Sequence, residues 1–463
     1  MELFSDKAGD EGLPGRPRAL AMAAVMTSTT MAVFDGSMVN IALPQIAAAL
    51  HVSAPAAVWV ANGYLLAAAM TLAIFAALAS RFGFRLLFAC GLSLFTAASL
   101  GCALSSSLTT LTGWRIVQGI GGAATLSIAP AILRSVFPDR LLGRILGLHA
   151  LLIAASTALA PLLGGTLLAA LDWRWLFAVN LPLGAIALML TLRVIPGKKA
   201  PQREPFDVAG AWLSAIMLGA LIMTASTFSR PDKDDGMLFT ALAYGALAIT
   251  AGGLFVWRQQ RAPKPLLPLA MFASRRFSLA ALTSLASFVS QGMTFVALPF
   301  LFQSVYGYSA FESALLFTPW PLGIILVAPH AGRMADRHSP ALISTLGLCV
   351  FAVGLALLAL LPDRAAMWDI GVRSLVCGLG FGCFQSPNNR EMLSNVSREN
   401  SGYASGVLAI MRTFGQCLGA ALVGVILSLS NNALAVHLSL WVAALATMLA
   451  LLFSVSRLRI WRV

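Results

Sequence analysis

Charge is what this sequence has least of. Lys, Arg, Asp and Glu make up 11% of its 463 residues, where a globular protein has about a quarter, and only 18 residues are acidic. So few charges cannot cover the surface of a soluble domain of this length. With hydrophobic residues at 59%, lipid takes the place of water as the main solvent. Cysteine is also scarce. Cys90, Cys102, Cys349, Cys377, Cys383 and Cys417 all fall in apolar stretches without C-x-x-C spacing, which excludes a disulfide framework and a zinc site. His149, His330 and His437 are scattered without ligand spacing, so no metal is expected. There is no H-E-x-x-H, no G-x-S-x-G and no pair of aspartates within an apolar run to carry catalysis, and no polar stretch long enough for an extramembrane domain. Gly119-x-Gly121-x-x-Ala124 matches a dinucleotide fingerprint formally, but it lies in an apolar run with no strand before it.

What is present is long apolar runs. In lipid every backbone polar group must be satisfied internally, so these runs are helices or barrel strands. They far exceed the roughly 10 residues of a barrel strand, which selects helices. From 19 to 80 the single charge is Asp35, and that stretch holds two spans. Further spans are expected near 86–105, 108–133, 144–170, 175–194, 208–229, 237–257, 277–303, 311–331, 340–361, 368–389, 401–429 and 434–456. Fourteen transmembrane helices result, an even number that puts both termini on one side.

The net charge of +13 is topological. Most of the 31 Lys and Arg fall on the side of the termini, among them Arg134, Arg140, Arg144, Lys198, Lys199, Arg258, Arg261 and Arg457. Arg174, Arg230, Lys233, Arg364 and Arg373 lie opposite, and Arg115 and Arg412 fall within spans. This bias places both ends in the cytoplasm and leaves no nucleic-acid surface. Residues 1–18 read as a polar cytoplasmic tail rather than a leader.

The chain repeats itself. Gln118-Gly119-Ile120-Gly121 returns as Cys377-Gly378-Leu379-Gly380, 259 residues on, and Gly147, Ser156, Ala160 and Gly165 fall on Gly406, Gly415, Gly419 and Gly424 at the same offset. Ala79-Ser80-Arg81 returns as Ala335-Asp336-Arg337 at an offset of 256. The expected organisation is a tail (1–18), a six-helix bundle (19–195), a linker (196–207), two inserted central helices (208–257), a linker (258–276), a second six-helix bundle (277–456) and a tail (457–463). Repeated halves are the mark of a secondary transporter with its site between them.

Asp35 is the sharpest feature. A carboxylate midway along a span costs several kcal/mol unless paired, protonated or facing water, and such acids mark ion or substrate pathways. Arg115, about two turns inside span four, is its natural partner and keeps its charge at all times. In the second half Gln291, Phe295, Trp320, Gln385, Asn388 and Asn389 form a polar and aromatic set suited to contacting a substrate. Pro161-Leu162-Leu163-Gly164-Gly165 closes span five with a helix breaker and small residues.

These residues resemble the major facilitator superfamily, in particular its fourteen-helix drug:proton antiporter branch (EmrB/QacA-like). The segments that carry the resemblance are Phe34-Asp35-Gly36-Ser37-Met38-Val39-Asn40 with Pro44, Arg115-Ile116-Val117-Gln118-Gly119-Ile120-Gly121-Gly122-Ala123, and Trp173-Arg174-Trp175 followed by Phe177, Asn180, Pro182 and Gly184. The resemblance implies an all-α polytopic membrane protein with the major facilitator fold, two six-helix bundles plus the inserted pair. It implies alternating access, with a proton exchanged for substrate at Asp35 and Arg115, and no cofactor beyond the proton motive force. Asn40 and Gln118 join the substrate contacts. Gly83, Arg85, Gly147, Pro161, Gly164, Gly165, Asp336, Arg337 and Arg412 form the gating set. Departures stand at Ser80 and Phe84, where the branch has an acid and a base, and at Ser156 and Ala160, where its span-five motif has glycines. The expected function is proton-coupled export of small lipophilic drugs or toxic metabolites from a monomer in the bacterial inner (plasma) membrane, with accessory export partners left open; Asp35 favours a cationic or zwitterionic substrate, while Arg115 and Arg412 leave anions open. Uptake or facilitated transport of one metabolite is the alternative.

Overall fold

A computed structural model describes residues 12–197, 206–228, 236–263, 265–335, 337–362, 364–396, 401–429 and 432–460. Every regular element among them is helical. The first half comprises α1 (Gly15–Ala49), α2 (Ala54–Phe82), α3 (Phe84–Ala103), α4 (Leu108–Val136), α5 (Asp139–Ala170), the short α6 (Trp175–Ala178) and α7 (Asn180–Val194). The inserted hairpin is α8 (Val208–Thr227) with α9 (Met237–Arg261). The second half comprises α10 (Arg275–Phe300), α11 (Ala310–Phe317), α12 (Pro319–Met334), α13 (Pro340–Ala359), α14 (Met367–Ser394), α15 (Ser401–Leu429) and α16 (Asn432–Ile460). Among the described residues thirteen helical segments are long and apolar enough to cross a membrane, and α5 carries a shorter apolar stretch at Ala155–Ala170.

Prolines shape several of these spans. Span ten runs over Ala310–Met334 as expected, with the helix assignment interrupted at Thr318, where Pro319 begins α12. A proline fits a first turn because its missing N–H would be unpaired there in any case. After Pro299 the end of α10 loosens into a π turn over Leu301–Val305. Span six runs over Trp175–Val194 as expected, with α6 and α7 meeting at Val179, itself in a helical conformation. Span fourteen runs past its expected end at 456, so Arg457 belongs to α16 and not to a tail.

The two halves are built alike. In the first, α4 packs on α2 and α3, while α1 packs on α5 and α7 and α3 on α7; in the second, α14 packs on α12 and α13, α10 on α15 and α16, and α13 on α16. The repeated glycines explain this likeness physically. A Cβ on Gly119 would collide with the Tyr64 carbonyl on α2, and a Cβ on Gly378 with the Trp320 carbonyl on α12. Gly121 faces the Phe95 amide in the same way, and Gly380 the Phe351 amide. Each pair marks a helix crossing where only glycine permits backbone-to-backbone approach.

The halves meet along two main seams, α2 against α15 and α5 against α11 and α12, with α1 also touching α10. The hairpin lies on the first, with α8 touching both α2 and α15, and Ile222 packs among Ala69, Phe414, Cys417 and Ala421. Burial separates the helices by role. Of the most apolar window of α10, 94% is buried inside the protein, against 22% for α9, so α10 is central and α9 faces lipid.

Candidate functional site

A cavity of about 420 Å³ lies between the halves, walled by residues of α1, α2, α4 and α5 on one side and of α10, α12, α14 and α15 on the other. Its lining runs from mid-bundle towards the end where α1 begins and α16 finishes, through Leu72, Ala328 and Asn389. The opposite end is shut. There a Cβ on Gly165 would meet Ala314 and stand 2.9 Å from the Ala310 carbonyl, and Gln303 Nε2 donates to the Ile41 carbonyl at 2.7 Å. Asn62, in the amide orientation that satisfies both its atoms, donates to the Cys417 carbonyl at 3.0 Å.

Asp35 is 1% exposed and points away from this cavity into the first bundle. Its Oδ2 pairs with Arg115 Nη1, and its Oδ1 accepts from Gln118 Nε2 at 2.8 Å and Asn180 Nδ2 at 3.2 Å. Arg115 also donates from Nε to the Val60 carbonyl at 2.9 Å and from Nη1 to Gln118 Oε1 at 2.7 Å. Gln118 Nε2 and Asn180 Nδ2 both reach Ser99 Oγ, at 2.8 and 3.4 Å. A buried ion pair is tolerable only when its remaining donors and acceptors are met, and here α1, α2, α3, α4 and α7 all contribute partners. Above the guanidinium lies the Tyr64 ring, 4.5 Å away, with Phe177 at 5.5 Å, the cation–π range. Tyr64 donates its hydroxyl to the Ala32 carbonyl at 3.1 Å and also lines the cavity. One ring therefore separates the ion pair from the cavity.

Several sequence expectations change here. Gln118 was expected to touch substrate, but it is fully buried in the Asp35 network. Asn388 likewise turns inward. Its amide donates to the Ala280 carbonyl (3.1 Å) and Ser284 Oγ (2.8 Å), and its oxygen accepts from Arg457 Nη1 (2.8 Å). Asn40, Gln291, Phe295, Trp320, Gln385 and Asn389 do line the cavity, together with Pro161 and Arg412.

The rest of the gating set is dispersed. Gly83 adopts φ 91° between α2 and α3, a conformation that suits glycine. Arg85 donates to the Leu192 carbonyl and so ties α3 to α7 within one half. Gly164 packs on Met38, Gly165 sits in the seam, and Arg337 is exposed. Gly147 falls in α5, and its surroundings, like Asp336 itself, lie outside the described residues.

Sequence reasoning missed a second buried ion pair. Arg457 Nη1 donates to Glu391 Oε2 at 2.8 Å and Arg457 Nη2 to Ser454 Oγ at 2.8 Å, at the ends of α14 and α16. Both residues were placed beyond their spans, and only the true helix lengths bring them inside. Thr29 Oγ1 and His149 Nε2, 3.0 Å apart, were also unforeseen. At the inserted hairpin, Asp207 caps α8 through the Gly210 amide (3.0 Å) and takes Arg258 Nε (2.9 Å) and Gln259 Nε2 (2.7 Å). Burial pushes the Asp207 carboxyl up, but these three donors outweigh it and hold its pKa below the ordinary value.

Known proteins share this architecture. The model of the Major Facilitator Superfamily matches residues 25–420 and 315–460. The chain is 40% identical over 447 residues to the uncharacterized transporter YebQ of Escherichia coli (strain K12), covering 96% of each. It is 30% identical over 416 residues to the multidrug resistance protein Stp of Mycobacterium tuberculosis (strain CDC 1551 / Oshkosh), covering 89% of this chain and 76% of that one. It is 28% identical over 392 residues to the riboflavin transporter RibZ of Clostridioides difficile (strain 630), covering 84% of each. Among solved structures, a D-xylose-proton symporter superposes with a TM-score of 0.68 at 16% identity, over 94% of this chain and 97% of that one, which speaks for the fold alone. Two like-built helical halves, a cavity between them and these matches agree: the chain is a membrane transporter of the major facilitator superfamily.

Proposed function

We propose that the chain is a proton-coupled exporter of small amphipathic molecules, working by alternating access in the plasma (inner) membrane of a bacterium with both termini in the cytoplasm. The observation that carries this reading is a shared cavity, shut at the far end, with a buried titratable ion pair one ring behind its wall. In this conformation the cavity belongs to the cytoplasmic side, where an exporter loads. Opening the far end requires the α5–α11 contact at Gly165 and the Gln303–Ile41 hydrogen bond to part. A proton arriving at Asp35 neutralises the carboxylate and frees Arg115, whose guanidinium holds Tyr64 by stacking. Tyr64 then shifts against the cavity wall, so proton and substrate act on each other through one side chain without meeting. Alternating access follows from rocking the two bundles about the seams.

The multidrug-resistance name of the Stp relative supports export. The name of RibZ, a riboflavin transporter, supports the second reading, transport of one metabolite. A resistance profile separates them. Expressed in an efflux-deficient bacterial host, the chain is expected to raise tolerance to several unrelated amphipathic antibiotics and dyes, and an uncoupler is expected to erase the gain. An unchanged profile, or sensitisation by uptake of one compound class, contradicts the proposal.

A further inference from the structure

The cavity wall carries a single charge among the described residues that line it, and that charge is positive. Arg412, on α15, is half-buried there and has no hydrogen bond or ion pair with any described residue. Every other polar group on the wall is an amide, a hydroxyl or an indole. Gln416 Nε2 donates to Gln291 Oε1 at 2.9 Å, so these two amides already partly satisfy each other. Trp320 is 1% exposed and its Nε1–H has no acceptor among the described residues. The nearby carboxylates are spent elsewhere, Asp35 on three donors behind Tyr64 and Glu391 on Arg457. Phe295 and Trp320 meet edge to face at 5.3 Å and give the same wall an aromatic surface.

A guanidinium cannot shed its proton, and in a site of low dielectric an unpaired one strongly disfavours a second cation nearby. We infer that the cavity takes an amphipathic organic anion, an aromatic or hydrophobic body bearing a carboxylate, sulfonate or phenolate, with Arg412 as the group that receives its charge. This refines the substrate class of the exporter reading and rests on it. Of the substrate charges the sequence left open, it selects the anion over the cation that Asp35 alone would favour. A planar, forked guanidinium suits such an oxyanion better than an ammonium does.

The test uses the purified full chain in lipid nanodiscs and three probes of one size: 1-naphthalenesulfonate, the neutral 1-naphthalenesulfonamide and 1-naphthylmethylammonium. Titration calorimetry is expected to show the sulfonate binding about tenfold or more tighter than the other two, a difference of about 1.4 kcal/mol. Arg412→Gln should bring the sulfonate down to the level of the sulfonamide while leaving the sulfonamide unchanged, and Arg412→Lys should keep part of the preference. If Arg412 served only as a conformational latch, its loss would change all three probes together. That outcome, equal or tighter binding of the ammonium, or no sulfonate binding at millimolar concentration overturns the inference. Flux in proteoliposomes separates it from the exporter reading. Selective sulfonate binding without flux under a pH gradient contradicts export and leaves the anion site standing. Proton-driven flux of the ammonium through the wild-type protein, with none of the sulfonate, contradicts the anion site and leaves export standing.

Discussion

The two halves share a packing plan and differ in where they place charge. At an offset of 256 residues, Asp35-Gly36 falls on Gln291-Gly292, and at 259 Arg115 falls on Ser374. The ionic core of the first half is thus neutral in the second. Gln291 lies on the cavity wall, and the Ser374 hydroxyl is buried without a partner among the described residues. The second half has its own ion pair, Glu391–Arg457, but near the helix ends, and Glu391 Oε1 and Arg457 Nε have no hydrogen-bond partner among the described residues. Its one cation at the cavity, Arg412, falls on Ile153 of the first half. Duplication has kept the positions where backbones touch and has let the electrostatics diverge. Packing tolerates no addition at a glycine crossing, whereas a charge pair can be lost as a unit without stranding either partner.

This contrast can be broken by mutation, and the largest effect belongs to the saturated pair. Arg115→Gln leaves Asp35 buried without its cation and is expected to cost roughly 3–5 kcal/mol, read as a fall in the thermal unfolding midpoint in detergent. The double variant Asp35→Asn/Arg115→Gln should recover most of that loss, and a neutral single variant would remove the claim that this pair organises the first bundle. Next come the crossings. Gly119→Ala and Gly378→Ala should each cost about 1–3 kcal/mol by forcing helices apart, and near-equal losses would sharpen the symmetry while a one-sided loss would break it. Glu391→Gln should cost less, about 1–2 kcal/mol, because the amide oxygen can still accept from Arg457 and one carboxylate oxygen already lacks a partner.

The smallest effect falls on the inserted hairpin. Asp207→Ala removes a helix cap and should cost about 1 kcal/mol. The Asp207 pKa is depressed below its ordinary 3.8, so its contribution is complete above that value and is lost as pH falls through the folded pKa. The stability difference between wild type and Asp207→Ala should therefore hold from pH 7 to about 4 and shrink below it. A difference that stays constant down to pH 2.5 would show that the carboxylate charge plays no part.

The spans, the likeness of the two halves and the pairing of Asp35 with Arg115 were legible in the sequence, because length, offset and desolvation are properties of the chain itself. The direction in which Asp35 points was not. α1 is apolar on nearly every side, so periodicity fixes no azimuth, and only the packing of α4 and α7 turns the carboxylate away from the cavity. Helix ends were misjudged for a related reason. Glu391 and Arg457 look like markers of a membrane boundary when read singly, and only as a pair can they be drawn inside. Tyr64 carried no signal, being one aromatic among many, until its ring was found over Arg115. Arg412 was visible as a charge within a span, but its lack of a partner among the described residues is a property of the fold.

The central claim is that the buried pair of the first half couples transport to protons without forming the substrate site. Proteoliposomes of the double variant Asp35→Asn/Arg115→Gln test it most directly, with 1-naphthalenesulfonate followed both by exchange at equal pH and by accumulation under a pH gradient. The expected result is that exchange persists while accumulation against the gradient disappears. Accumulation at the wild-type level from this folded variant would contradict the account.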